Sequence, residues 1–240
     1  MMKQSTRVDV DKVQAAVRSV WTSAGYTEPV SGIVPLDDLI RSYPIRIAEI
    51  EGLTHRTATD YLISEAGSSI SVPMGDDQQL SGFLYADRSG NACILVDRGE
   101  PIQRRRFSAA HELGHYIQHF LPALENAPIE PFADLVYSEG LVYPDQEPED
   151  VDSMDAMLIT QPVMQVELVS GYIILDSEQA EKEANRFAVE LLMPEKAVRE
   201  SVNQVTHQFS GTRGIIAKRL ATQFLVSPEA MTWRLVGLGL

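Results

Sequence analysis

Hydrophobic residues recur along this chain with the periods of helices and strands, and the pattern changes from one segment to the next. In the first 66 residues, apolar positions three and four apart alternate with one strand-like run, in which Ile45 and Ile47 share a face. These patterns predict helices at 8–24, 35–42 and 54–65 and a strand at 43–51. We therefore expect the first 66 residues to pack on the core as an N-terminal segment.

The next segment opens with a predicted β-hairpin. The β-prone runs at 80–86 and 92–97 flank DRSGN, a run of turn-forming residues. A long helix then begins at Pro101, because proline suits the first position of a helix. We expect this helix to end near Phe120, since Pro122 follows at once.

A second long helix is predicted at 177–193 by its apolar spacing and by the polar residues that can cap its start. The stretch between the two long helices, 121–175, is rich in proline and predicts irregular structure. Its centre at 145–155 has a disordered composition, and a strand is predicted at 166–175.

The last part of the chain predicts helices at 194–206 and 213–236, the second of them broken at Val226-Ser227-Pro228. The two halves of 213–236, on either side of this break, have the spacing of a helix-turn-helix. They therefore indicate either a DNA-binding element, with Trp233 and Arg234 as contacts, or a helical pair that supports the core.

Charge is distributed unevenly. The 240 residues carry a net charge of −14, and residues 120–180 contain 13 acids and no Lys or Arg. Such a block repels phosphate and disfavours nucleic acid as a partner of the whole protein. It predicts a solvated loop, or alternatively a gate or docking surface for a basic partner.

The single cysteine, Cys93, excludes an intramolecular disulfide and suits a reducing compartment. No run approaches the roughly 18 apolar residues of a membrane helix. The first 25 residues carry charges where a signal peptide would be apolar. We therefore expect a cytoplasmic protein with no membrane contact.

The chemical signal is the sequence HELGH at 111–115, inside the first long helix. His111 and His115 lie one turn apart on one face, so their imidazoles can converge on one zinc ion at about 2.0–2.1 Å. Glu112 lies about 100° round the helix, where it can act as a general base on a water at the metal. The alternative is a structural helix with two packed histidines and an exposed glutamate.

The residues around the motif favour the metal site. Phe107, Ala110 and Ile117 give the helix an apolar flank that places the histidines toward the interior. Gly114 costs about 1 kcal/mol relative to alanine in the middle of a helix. That cost is reasonable if another backbone approaches closely at this point.

A catalytic zinc site needs a third protein ligand. His119 continues the stripe, but it lies about 5 Å further along the axis, so we interpret it as packing or as support for a ligand. Glu181 on the second long helix is the better candidate, with Asn185 one turn later to hold a histidine ring. Three other glutamates of that helix compete, and spacing alone does not decide between them: Glu178, Glu183 and Glu190.

Two stretches closely resemble the ImmA/IrrE metallopeptidase family: RRRFSAAHELGHYIQH at 104–119 and EKEANRFAVELLMP at 181–194. The strands of the hairpin and the segment 220–227 are similar too, so the resemblance covers roughly residues 30–236. The stretch between the two helix motifs, 116–180, looks longer than usual for the family.

The resemblance implies a gluzincin-like site in which Glu181 is the third metal ligand and Asn185 supports it. It also implies cleavage of helix-turn-helix transcriptional repressors in mobile-element or stress-response circuits. Manganese or iron could replace zinc, because a His-His-Glu set discriminates poorly between these metals.

These observations predict an α+β fold: a zincin-like metallopeptidase core with a small β-sheet packed on the active-site helix, followed by C-terminal helices of helix-turn-helix-like pattern. The predicted division is an N-terminal segment (1–66), a zinc metallopeptidase core (67–200, with an acidic insertion at about 121–176) and a C-terminal helical pair (201–240).

The predicted enzyme is a zinc metallopeptidase in which Glu112 takes a proton from water and later delivers it to the leaving amine. Four residues are candidates for stabilising the oxyanion: Arg106, Tyr143, Tyr172 and His207. The alternative function is a metal-dependent regulator that binds a repressor or DNA without proteolysis.

Overall fold

The computed structural model of the chain describes residues 8–29, 31–66, 78–86, 89–125, 135–139, 177–208 and 211–240. Helices dominate this part and are numbered here in chain order. They are α1 (Val10–Ser23), α2 (Leu36–Arg41), α3 (His55–Ala66), α4 (Ile102–His115), α5 (Leu121–Glu125), α6 (Ser177–Leu192), α7 (Glu195–Gln208), α8 (Arg213–Phe224) and α9 (Pro228–Gly237). A single π-helical turn, Tyr116–Phe120, joins α4 to α5.

Four strands form one sheet in the order β1-β3-β2-β4. They are β1 (Ile45–Ile50), β2 (Gly82–Ala86), β3 (Ala92–Asp97) and β4 (Leu135–Glu139). The pair β2–β3 is antiparallel, which confirms the predicted hairpin, whereas β1 runs parallel to β3. Strand β4 pairs antiparallel with β2 and was not predicted, because it lies in a segment expected to be irregular.

Side chains of the sheet alternate between two apolar layers. Phe83 and Tyr85 of β2 pack with residues of α3, whereas Leu84 and Ala86 face the larger core that contains α4. Ile50 of β1 joins the α3 layer while Ile45 faces the other, so β1 also contributes to both layers. The sheet is thus covered by α3 on one side and by the HELGH helix on the other.

The first long helix differs from its prediction because it continues past Pro122. The N–H of Leu121 bonds to the carbonyl oxygen of Tyr116, five residues earlier, and α5 follows directly. Proline has no N–H to donate and obstructs a regular α-helix. The π-turn lies immediately before Pro122, so the hydrogen-bonding pattern changes where a regular helix would be obstructed.

Helix α4 packs directly against α6, and Gly114 lies at the closest approach. A Cβ atom added at Gly114 would lie 3.0 Å from Phe187 Cδ1 and 3.2 Å from the backbone Cα of Ala184. The prediction that another backbone approaches this glycine is confirmed. The close packing sets the separation of the two helices that carry the candidate metal ligands.

The C-terminal helices α8 and α9 are joined by a sharp turn. Leu225 adopts a left-handed conformation (φ 54°), Ser227 accepts a hydrogen bond from the N–H of Ala230, and Pro228 occupies the first turn of α9. Each of these features ends or starts a helix in a known way. The predicted break at this position is confirmed.

Arg234 of α9 fastens this helical pair to α6. Its guanidinium donates two hydrogen bonds to Glu190, at 2.9 and 2.7 Å, and a third to the carbonyl oxygen of Met193 at 2.9 Å. Only 1% of Arg234 and 7% of Trp233 is exposed. Their assignment as DNA contacts is therefore wrong, and the pair supports the helix that carries Glu181.

We expect Arg234→Met to lower the free energy of unfolding by about 3 kcal/mol, because it leaves the buried carboxylate of Glu190 without its main partner. Burial alone would raise the pKa of Glu190, but hydrogen bonds and charge from Arg234 and Arg186 hold it below its ordinary value. This contribution is present above a pH of about 4.3, where an unfolded glutamate is ionised, and fades as the pH falls further. Urea unfolding at pH 7 and pH 3.5 measures both effects.

Arg199→Met is the control, because Arg199 is exposed and bonds to Glu195 one helical turn away and to the carbonyl oxygen of Leu238. Exposed pairs of this kind contribute about 0.3–0.5 kcal/mol. Equal losses in the two variants at pH 7 would contradict the role of Arg234.

The α+β class is confirmed, and among the described residues no helix is both long and apolar enough to cross a bilayer. The strand predicted at 166–175 and the disordered composition at 145–155 lie outside the described residues. The boundaries placed after residues 66 and 200 stay a prediction. One apolar cluster contains residues from all three predicted segments: Val13 of α1, Phe187 of α6 and Leu220 of α8.

Candidate metal centre

Three buried side chains from two helices converge between α4 and α6. Nε2 of His111 lies 3.2 Å from one carboxylate oxygen of Glu181, and Nε2 of His115 lies 3.1 Å from the other. The two Nε2 atoms are 2.9 Å apart. His111 and His115 are at most 1% exposed, and Glu181 is 6% exposed. This cluster is the one that the described residues offer as a metal-binding group of three or more His, Cys, Asp or Glu side chains.

The three donors meet because both helices turn one face toward each other. His111 and His115 are four residues apart, so one turn of α4 places them side by side. Glu181 lies on α6 one turn before Asn185, and both are buried. The contact at Gly114, between the histidines and the backbone of Ala184, holds this face of α6 close enough for the carboxylate to reach both rings.

The chemistry of the donors fits a divalent cation. Nδ1 of His111 lies 2.9 Å from Oδ1 of Asn185, an acceptor, so this nitrogen carries the ring proton. Nε2 of a neutral His111 then presents a lone pair, and it points at the carboxylate oxygens of Glu181, which also present lone pairs. Donor atoms of a tetrahedral zinc site lie about 3.3 Å apart, close to the 2.9–3.2 Å found here. A cation satisfies such a group of lone pairs, and two histidines with one glutamate are a ligand set of catalytic zinc sites.

Glu112 follows His111 on α4, and its carboxylate lies against strand β2. Glu112 is 1% exposed. A Cβ atom added at Gly82, the first residue of β2, would lie 2.6 Å from Oε1 of Glu112. Gly82 therefore fits beneath the carboxylate because it has no side chain. The carboxylate therefore lies between α4 and the sheet.

His115 has its own support on the side away from the cluster. Its Nδ1 lies 3.0 Å from Nδ1 of His119, and Nε2 of His119 lies 3.3 Å from a carboxylate oxygen of Glu183. Gln179 donates to the other oxygen of Glu183 at 2.9 Å, and Lys12 of α1 lies 3.6 Å away. The hydrogen bond from His119 contributes most to lowering the pKa of Glu183 to about 2, although burial opposes it. His119 thus contacts a candidate ligand, His115, on the side away from the cluster.

The glutamates that compete with Glu181 have other contacts. Glu183 bonds to His119 and Gln179, and Glu190 bonds to Arg234 and Arg186. The side chain of Glu178 lies outside the described residues. Of the carboxylates on α6 that the structure describes, Glu181 is therefore the one that meets both histidine rings.

The four candidates for stabilising an oxyanion differ in what the structure shows of their positions. Arg106 donates to the carbonyl oxygen of Val34 at 2.8 Å, so it is engaged in holding the loop before α2. His207 is exposed near the end of α7. Tyr143 and Tyr172 lie outside the described residues.

Sequence reasoning missed two residues near the cluster. Gly82 lies inside the strand predicted at 80–86, and a glycine in a strand can mark the close approach of another group. Lys12 lies on the exposed face of a helix about 170 residues before Glu183, and no local pattern could connect the two. Only the packing of α1 on α6 brings them together.

Comparison with known proteins agrees with this geometry. The sequence model of a peptidase family, described as Peptidase M78, IrrE N-terminal-like domain, matches residues 69–136 and 163–236. No curated protein matches the chain. The unmatched residues 137–162 fall within the stretch that looks longer than usual for the family. The match covers more than half of the chain and includes every member of the cluster, so the chain belongs to the IrrE N-terminal-like peptidase family, a family of metallopeptidases.

Proposed function

We propose that this chain is a zinc-dependent endopeptidase in which His111, His115 and Glu181 hold the metal and Glu112 is the general base. The observation that carries the proposal is the convergence of two imidazoles and one carboxylate in a buried site. The buried carboxylate of Glu112 belongs to the residue that follows the first of these histidines. Membership in a peptidase family supports the reaction type. We also assign the α+β core to the zincin-like type, because the HELGH helix packs beneath a small sheet.

A bound zinc ion would supply the Lewis acidity that acidifies water and polarises a peptide carbonyl. The chain supplies the rest. Glu112, held against Gly82, accepts a proton from the attacking water and returns it to the nitrogen of the leaving amine. Asn185 accepts the hydrogen bond from Nδ1 of His111, which keeps that ring oriented toward the cluster. Because Glu112 is buried, salt in the solvent screens the charge of its carboxylate little.

The proposed substrate is a helix-turn-helix transcriptional repressor, in a mobile-element or stress-response circuit. Support for this substrate class comes from the resemblance of the two helix motifs to the ImmA/IrrE family. A repressor substrate places the activity in the cytoplasm. The DNA-binding alternative has lost its two proposed contacts, because Trp233 and Arg234 are buried.

The test is to incubate the purified protein with the repressor encoded by a neighbouring gene, once after zinc loading and once after treatment with a chelator. We expect zinc-dependent cleavage at a defined peptide bond, detected by mass spectrometry of the fragments. Stoichiometric binding without cleavage would support the metal-dependent regulator instead. Cleavage that continues at the same rate after the metal is removed would contradict the proposal.

A further inference from the structure

The two histidines of the cluster are supported by different means. Nδ1 of His111 faces an amide oxygen of α6, whereas Nδ1 of His115 faces the ring of another histidine on its own helix. His119 is four residues after His115, and the intervening backbone enters the π-turn. Such turns are rare in helices and occur frequently at functional sites. The pairing of two ring nitrogens places a strict condition on their protons.

The condition follows from the role proposed for His115. Its Nε2 faces Glu181 and His111, so a metal ligand at this position needs a lone pair on Nε2. The proton of the neutral ring is then on Nδ1, which donates to His119 over 3.0 Å. His119 accepts only if its own Nδ1 carries a lone pair. Its proton is therefore on Nε2, which lies 3.3 Å from Glu183.

Glu183 ends the chain of hydrogen bonds, because its carboxylate acts as the acceptor. An ionised carboxylate accepts hydrogen bonds and cannot donate them. It therefore selects the His119 tautomer that carries its proton on Nε2. Gln179 and Lys12 hold the carboxylate from two further directions. The side chains of His119 and Glu183 are 6% and 12% exposed, which limits competition from water. The order of donors thus runs in one direction, from His115 to His119 to Glu183.

We propose that His119 and Glu183 are positioning residues that fix His115 in the tautomer with its proton on Nδ1, and that they thereby set the affinity of the site for its metal. The inference depends on the proposed function only in taking His115 as a ligand. It assigns a role to the third histidine of the helix. It also links the metal site to α1, which lies outside the residues matched by the family model, through the ion pair of Lys12 with Glu183.

The test compares three variants of the full chain: His119→Ala, His119→Asn and Glu200→Gln. Alanine removes the acceptor for His115. Asparagine can place its Oδ1 where Nδ1 of the histidine lies, and so retains an acceptor. Glu200 is exposed on α7, and its variant is the control. The measured quantity is the zinc dissociation constant, obtained by competition with a chromophoric chelator, and thermal unfolding of the metal-free proteins reports whether each variant folds.

We expect His119→Ala to weaken zinc binding about 10- to 100-fold, the range found when a partner of a ligating histidine is lost. His119→Asn is expected to stay within about threefold of the wild type, since the accepting atom is restored. Zinc binding by His119→Ala as tight as that of the wild type would overturn the inference. So would equal weakening in both His119 variants, because bulk and not the acceptor would then matter. A wild-type protein that binds no zinc would instead overturn the proposed function.

Discussion

Replacing Glu112 by glutamine is expected to slow cleavage of the repressor by about 10²- to 10⁴-fold, the contribution typical of a general base. Glutamine has nearly the size of glutamate, so the fit against Gly82 is kept, but the amide cannot accept the proton. Zinc content should stay at one ion per chain, because Glu112 is not part of the three-residue cluster. The cleavage rate and the zinc content of the same preparation measure the two effects.

Gly82→Ala tests the same carboxylate from strand β2, which packs against it. The added Cβ would lie 2.6 Å from Oε1 of Glu112, so the carboxylate has to move while the cluster itself is untouched. We expect a slower cleavage rate with full zinc content and an unchanged circular dichroism spectrum.

Wild-type cleavage by Glu112→Gln would show that the base is another group.

Replacing Glu181 by alanine is expected to remove both the metal and the activity. The side chain is the carboxylate that reaches both rings, and its loss leaves two imidazoles where a catalytic zinc site needs three protein ligands. We expect zinc affinity to fall by more than the roughly 100-fold that loss of a supporting contact costs. His111→Ala should behave in the same way. Chelator competition and the cleavage assay at stoichiometric zinc measure the two losses.

Glu200→Ala provides the matched control, since it removes an exposed carboxylate of α7 by the same substitution. It should bind and cleave as the wild type does. Full zinc content in Glu181→Ala, with cleavage retained, would exclude Glu181 as a ligand.

The local parts of the fold were predictable because their signals are local. Apolar spacing located α1, α3 and α6, and turn residues located the β2–β3 hairpin. The HELGH sequence located the two imidazoles and the nearby carboxylate, since residues four apart on a helix share a face. In each case, the residues that decide the local structure are close together in the sequence.

The third member of the cluster was not decided by local signals. Which glutamate of α6 faces the histidines depends on how that helix is rotated against α4, and this is set by contacts such as the one at Gly114. Spacing left Glu178, Glu183 and Glu190 as competitors, and only the resemblance to a known family selected Glu181. The structure provides the physical reason, because Glu183 and Glu190 are bonded to His119 and Arg234.

Long-range contacts explain what the sequence did not predict. Lys12 reaches Glu183 only through the packing of α1 on α6, and β4 forms only because β2 offers it an edge. The burial of Arg234 was missed for the same reason. Its partner Glu190 is 44 residues away, so the local sequence left Arg234 as a candidate DNA contact.

The most direct test of this account is a crystal structure of the zinc-loaded protein, with an anomalous difference map recorded at the zinc absorption edge. We predict one peak per chain, at about 2.0–2.2 Å from Nε2 of His111, Nε2 of His115 and a carboxylate oxygen of Glu181. A peak bound by other residues, or a map with no peak between these three side chains, would contradict it.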